Sequence, residues 1–343
     1  MAAITPSYTI VNPSYIAPEL ILSQQQASGA FETIASGNPQ VRLGVGDQYV
    51  YMRRLDIRTQ VTSSQSGNGN QLPSVAMDAR MISTPTYLFR CRGIYDHHDM
   101  AAAGNWNVAL PEAQRLGMRQ GIFQQLRNSL LYGMNPAGGE GLMNTAGATT
   151  ETLPPDSDGN TTVLTYDHGQ MAVYILGHIL GAMTRTMQLG KQQRVVICGP
   201  QRILGAFEIQ QIVQLTSYQR PGGGTAAVGG TVENVSKDAG VQVDWVYDDT
   251  LIGKGAGGTD AVVLTIPEVE TPMVNPTINT NEFAKLAPNL AANALMFCDM
   301  AAPREIPTPI PGGAVDVLSE MRSTSGWAVR PEAITILSMA YSA

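Results

Sequence analysis

The residues of this chain best suited to chemistry are few and scattered. Asp96, His97, His98 and Asp99 form a DHHD run, metal ligands by type, but adjacent side chains diverge and no second cluster completes a shell. A solvated hinge is the expectation there. Asp156, Ser157, Asp158, Gly159 and Asn160 match the opening of a calcium loop without its third acidic position or closing Glu, so a polar turn is expected. Gly255 to Asp260 (GAGGTD) approximates a calcium-binding nonapeptide once, and one copy cannot stack. His178 falls in an apolar helical pattern as a core side chain, and His168 stands where it can cap a helix start. Asp248 and Asp249 are neighbouring carboxylates with no positioned base or electrophile. The spacings of a nucleophile elbow, an HExxH helix and a Walker loop are missing. Cys91, Cys198 and Cys298 are an odd number without a CxxC pair, which indicates neither a disulfide framework nor a zinc knuckle and fits a reducing compartment. Catalytic, cofactor and metal residues are all read as none.

The elements that would have to position a site point elsewhere. Residues 1–40 carry Pro6, Pro13, Pro18 and Pro39 with two charges, an arm whose Tyr8, Ile10, Tyr15 and Phe31 need a surface to lie against. From 41 to 95 the text becomes Val, Tyr, Ile and Arg, broken once by SSQSGNGNQLPS at Ser63 to Ser74, and reads as one long hairpin. About 18 residues per arm at about 3.3 Å each would project on the order of 60 Å, and so long a ribbon needs another surface beneath it.

Pro111 to Tyr132 reads as a helix of roughly 33 Å, with Leu116, Phe123, Leu126 and Leu130 at helical spacing and Gly133 as its cap. Gly117 and Gly121 suggest close approach of another backbone to that helix. After loop-like residues 134–166, Asp167 precedes a helix stepping through Met171, Ile175, Ile179, Met183 and Met187. Strand patterns at Arg194 to Cys198, Val241 to Tyr247 and Ala261 to Ile266, a helix at Ile203 to Leu215 and a loop at Pro221 to Gly230 imply an α/β domain. Ala314 to Met321 and Trp327 to Met339 read as strands that return beside the long helix.

Charge sharpens the picture. The 343 residues carry net −7, with 17 Arg and only four Lys. Residues 41–95 hold seven Arg against three Asp, net +4, which leaves fourteen basic against twenty-five acidic residues, net −11, on the rest. A basic ribbon on an acidic body suggests that the ribbon of one copy docks on the next. The acidic total argues against general nucleic-acid binding, and neither a cationic start nor a long apolar run supports secretion or membrane insertion.

The long helix runs into Gly133 and a GLMN stretch at Gly141 to Asn144 followed by Gly147; a hydrophobic strand ends in Cys198-Gly199-Pro200; and Glu320 and Arg322 precede GWAVRPEAI at Gly326 to Ile334. These three segments, in this order, resemble the major capsid proteins of tailed bacteriophages of the Hong Kong 97 type. The resemblance implies an α+β Hong Kong 97-like capsid fold. Its parts would be an N-terminal arm (1–40), an extended β-hairpin E-loop (41–95), a peripheral domain (96–150) with spine helix 111–132, an α/β axial domain (151–300) and C-terminal strands (301–343) returning to the peripheral domain.

It also implies self-assembly in hexamers and pentamers into an icosahedral shell around double-stranded DNA, built in the bacterial host cytoplasm and resident in the virion. The partners implied are a separate scaffolding protein, a cement or decoration protein and a portal protein. DNA is enclosed without sequence-specific binding, and no membrane takes part. Some members lock the shell through an E-loop lysine, and residues 41–95 contain none, so a non-covalent shell is expected. Arg53, Arg54, Arg58, Arg80, Arg90 and Arg92 are the expected inter-subunit contacts. Alternatives are an encapsulin-type nanocompartment shell protein and a soluble α/β enzyme using Asp248 or the DHHD segment.

Overall fold

The computed structural model describes residues 28–34, 38–58, 76–104, 109–186, 188, 192–212, 226–269, 294–300 and 302–342. The tip at Ser63 to Ser74, most of the arm, and Met187 lie outside them. The first half of the chain forms α1 (Ala30–Thr33), β1 (Val41–Arg42), β2 (Tyr49–Arg58), β3 (Ala76–Tyr95), α2 (His97–Gly104), α3 (Leu110–Tyr132), β4 (Thr149–Thr152) and α4 (His168–Arg185). Next come β5 (Gln193–Gly199), α5 (Gln201–Ile209), β6 (Gln211–Ile212), β7 (Ala226–Ala227), α6 (Val228–Asp238), β8 (Val241–Tyr247) and β9 (Asp260–Thr265). The last part holds β10 (Leu295–Met296), β11 (Cys298–Asp299), β12 (Arg304–Ile310), β13 (Ala314–Thr324), β14 (Trp327–Ala328) and β15 (Ile334–Met339).

Two main sheets organise these elements. One runs β1-β11-β13-β3-β2, with β12 also paired to β13; the other runs β4-β15-β9-β5-β8. α3 lies on the first sheet through Met118, Ile122 and Leu126, and Ile122 and Leu126 cluster with Phe89 and Met321 of the strands beneath. That face corrects the expected one: Leu126 and Leu130 are buried, but Leu116 and Phe123 point outward, because the four-residue step from Met118 meets the sheet and they fall off it. Gly117 and Gly121 also face open space, where an added Cβ would touch nothing within 4 Å.

The turn after α3 is built by close backbone approach. Gly133, Gly141 and Gly147 all have positive φ, and Gly141 N–H donates to the Gly326 carbonyl at 2.7 Å. Asn144 closes the turn by donating from Nδ2 to the carbonyls of Tyr132 (2.7 Å) and Glu140 (3.1 Å). The GLMN stretch therefore joins the end of α3 to the corner that follows β13.

α4 begins as its sequence predicts, with the Asp167 carboxylate accepting Gln170 N–H at 2.8 Å. Met171, Ile175, Ile179 and Met183 enter a core with Val195, Ile197, Leu204, Phe207, Val262 and Leu264, each large side chain contributing about 1.5–3 kcal/mol. His178 sits at the margin of this core. Burial holds its imidazole below the ordinary value of 6.5, outweighing the upward pull of Glu151, whose carboxylate lies 3.5 Å from Nε2. The neutral form is thus the one the fold prefers, so this contribution to stability is complete above the unfolded value and is lost as pH falls through the lowered folded one. His178→Gln is expected to flatten the decline of Tm below pH 6.5; wild-type and variant profiles that stay parallel would contradict this.

Three expectations are corrected here. The helix expected at Ile203 to Leu215 spans Gln201–Ile209 and stops where Gln210 turns extended and donates through its side-chain amide to the Val163 carbonyl. Part of the expected loop Pro221 to Gly230 is the start of α6, whose Val228, Val232 and Ser236 are buried at four-residue spacing. Gly229 stands in its first turn beside α5, where an added Cβ would meet the Phe207 carbonyl at 3.7 Å, an ordinary contact that does not demand glycine. Finally, β15 is not a strand of the sheet that carries α3, although its Ile334 and Ile336 share a buried cluster with Leu130 and Leu131 at the end of α3. It inserts into the second sheet between β9 (antiparallel) and β4 (parallel), because Ile334, Ile336 and Leu337 are buried in that sheet's core.

Candidate functional site

The hairpin is the most distinctive feature of the molecule. β2 and β3 pair antiparallel from Tyr49 opposite Pro85 to Arg58 opposite Ala76. β3 is twenty residues long, about 65 Å at 3.3 Å per residue, but Thr86 to Tyr95 pair with β13. Among the described residues the half from Ala76 to Pro85 has β2 as its partner strand, and residues 59–75 beyond it lie outside them.

Alternation gives this ribbon two unlike sides. Tyr49, Tyr51, Met77 and Met81 share one side and are each more than half exposed, with Arg53 opposite Met81 among them. On the other side Arg54 is directly opposite Arg80, beside Val50, Met52 and Ile82. A bare row of two tyrosines and two methionines is unusual on a soluble surface and marks a contact face.

The six arginines divide accordingly. Arg53, Arg54 and Arg80 stand on the free ribbon, and Arg58 closes its described ladder with a side chain outside the described residues. Arg90 and Arg92 lie lower, where β3 is part of the body, and meet acids of their own chain. Arg90 Nε is 3.4 Å from Glu320, and Arg92 binds Asp316 with Nη2 at 2.7 Å and Nε at 2.9 Å. The Asp316 hydrogen bond holds the Arg92 guanidinium above its usual value. Arg42 at the foot of the ribbon likewise pairs with buried Asp299 at 2.7 Å.

The residues with chemical potential are occupied in holding the fold. Asp96 and Asp99 cap the start of α2 reciprocally, Asp99 N–H donating to Asp96 at 2.8 Å and Asp96 N–H to Asp99 at 3.2 Å. Asp156 gathers the N–H groups of Asp158 (2.9 Å), Asn160 (2.7 Å) and Asp167 (3.0 Å), which makes the DSDGN segment a polar turn around one carboxylate. Asp260 of the GAGGTD segment is fully buried under Arg202, which binds it through Nε and Nη2 at 2.6 Å each. Asp248 is fully buried and accepts Gly29 N–H at 2.6 Å and the Thr250 hydroxyl at 2.6 Å. It anchors the root of the arm and does not face a cleft. Among the described residues no three His, Cys, Asp or Glu side chains are gathered as a metal-binding set, and no helix is long and apolar enough to cross a membrane.

The whole architecture is shared with solved structures. The capsid of Myoviridae phage XM1 superimposes with a TM-score of 0.67 at 13% identity, over 96% of this chain and 99% of that one. The capsid of cyanophage P-SCSP1u gives 0.54 at 14% identity, covering 96% and 93%, and the capsid of an empty GTA particle 0.54 at 12%, covering 96% and 95%. No protein-family model and no curated protein sequence matches the chain. The chain has the fold of these capsid subunits over nearly its full length.

Proposed function

We propose that this chain is a major capsid protein, the subunit that self-assembles into the icosahedral shell of a tailed bacteriophage around double-stranded DNA. The observation that carries the proposal is the ribbon, one side of which is apolar and is left exposed by the described residues of its own subunit. The shared fold supports the same reading. In it, 41–95 is the E-loop, 1–40 the arm, 96–150 with α3 the peripheral domain and 151–300 the axial domain, to which β15 is added. The role is structural, in the virion, and rests on repeated interfaces in hexamers and pentamers. The apolar side of the ribbon lies against the next subunit, and Arg53, Arg54, Arg58 and Arg80 steer it there toward acidic groups. Portal, scaffolding and cement proteins are the partners this role calls for, and an acidic body encloses DNA without gripping it. The capping and anchoring duties of Asp96, Asp99 and Asp248 disfavour the enzyme alternative.

Electron micrographs of the purified protein test the proposal: closed shells are expected, and compact monomers under all assembly conditions would overturn it. DNA inside native particles separates a phage shell from a nanocompartment. Arg54→Glu and Tyr51→Asp are each expected to lower particle yield at least tenfold while the circular dichroism of the subunit stays unchanged. Assembly of the wild type should slow as salt rises, because screening weakens steering. Normal yields in both variants would remove the ribbon from the interface.

A further inference from the structure

β3 changes partner at one point. Below it, Thr86 to Tyr95 pair with β13 of the body; above it, among the described residues, Ala76 to Pro85 pair only with β2. A two-stranded ribbon is weakly stable alone, so its direction is set where it leaves the larger sheet. Consecutive strand residues face opposite sides, and at this point both sides are gripped. On one side Arg322 donates from Nη1 to the Thr86 hydroxyl and to the Asp47 carbonyl, at 2.9 Å each, while Thr86 N–H donates to the Gln48 carbonyl at 2.9 Å. On the other, the Tyr87 hydroxyl donates to both oxygens of Glu140, at 2.7 and 2.9 Å.

Glu140 is buried and receives two more donors, Asn135 N–H at 3.0 Å and the Ser325 hydroxyl at 3.2 Å. One carboxylate thus joins the ribbon strand, the loop that leaves α3 and the corner after β13. Each of these donors is neutral, and burying an anion on neutral donors alone is costly. An apolar contact would hold the strand more cheaply, but it would not be directional; hydrogen bonds to a fixed carboxylate are. Burial, followed by the Glu140 hydrogen bond, pushes the Tyr87 hydroxyl up to about 12, so it stays a donor throughout the neutral range.

We propose that Glu140 is a positioning residue that sets the angle at which the hairpin leaves the body, by holding Tyr87 at the point where β3 exchanges β13 for β2. The effect reaches far because the ribbon is a lever. A few degrees at Tyr87 displace Met77, ten residues outward and about 33 Å along the strand, by about 2–3 Å.

Spin labels report this angle directly. Met77→Cys on the ribbon and Val173→Cys on α4, both strongly exposed positions, can be labelled in a Cys91→Ser background of the full chain and diluted with unlabelled protein. The parental pair is expected to give one narrow distance distribution by pulsed electron resonance, and Tyr87→Phe and Glu140→Ala to at least double its width. An unchanged width in Tyr87→Phe, with the fold intact by circular dichroism, would overturn the proposal. That variant removes one oxygen atom and decides the matter even if Glu140→Ala fails to fold. Because the measurement reads single subunits, its outcome is separate from whether copies close into shells.

Discussion

Gly141→Ala is expected to abolish recovery of folded subunit. A Cβ there would lie 2.3 Å from the Gly133 nitrogen and 2.5 Å from the Tyr132 carbonyl carbon, on a residue whose φ is +83°. Both obstacles are backbone, which has no rotamer to move aside. Gly326→Ala should act alike, since its Cβ would lie 2.4 Å from the Leu130 carbonyl oxygen on the other side of the same junction. Each substitution should cost about 4 kcal/mol or more, a large part of the roughly 5–15 kcal/mol that stabilises a typical domain. Soluble yield and the denaturant midpoint measure it. Gly117→Ala is the control: its Cβ enters open space within a helix and should stabilise by up to about 1 kcal/mol. A Gly141→Ala midpoint equal to wild type would mean that the junction yields without resistance.

The second large effect is expected at Asp248. Asp248→Ala removes the acceptor of buried Gly29 N–H and leaves Thr250 N–H, 3.0 Å from the lost oxygen, without its partner. Leaving such donors unsatisfied costs about 1–3 kcal/mol each, so a total near 3 kcal/mol is expected. The loss is concentrated at the arm. α1 packs with Ala30 and Ile34 fully buried, and Gly29 approaches so closely that an added Cβ would stand 2.9 Å from the Cys198 sulfur. Limited proteolysis should therefore cut Asp248→Ala around residues 28–48 well before wild type, alongside a lowered urea midpoint. Identical digestion patterns would show that the arm is rooted by packing alone.

Much of the fold was legible because local chemistry and global structure agree in those segments. Pro111 and Gly133 delimit α3, and the step of four from Met171 to Met183 declares α4. The hairpin is visible as two alternating stretches around a cluster of Gly, Asn and Pro. The errors share a different cause. Gly229 and Gly230 look like loop residues until Val228, Val232 and Ser236 are seen buried along one face of α6, and Leu116 and Phe123 look like core until the sheet is found on the other face of α3. For β15 the apolar run was plain, but which of two sheets it joins is decided by neighbours at least 69 positions away.

The candidate site was legible only in part. Arginine counts marked the ribbon as basic, and the alternation of Tyr49 and Tyr51 could have marked its apolar side, yet charge alone could not show that Arg92 meets Asp316 of its own chain, 224 residues on. Glu140 carried no signal at all. It is a single carboxylate in a glycine-rich turn, and its importance comes from Tyr87 and Ser325, which the fold delivers from 53 and 185 residues away.

The position of β15 bears on how the molecule is made. Its partners β4 and β9 leave the ribosome before Ile334–Met339 does, so the second sheet lacks its joining strand until β15 emerges. Contacts that span so much chain close slowly. Newborn chains thus pass through a stage with that layer open, and the sheet reaches its final order only after β15 slides home.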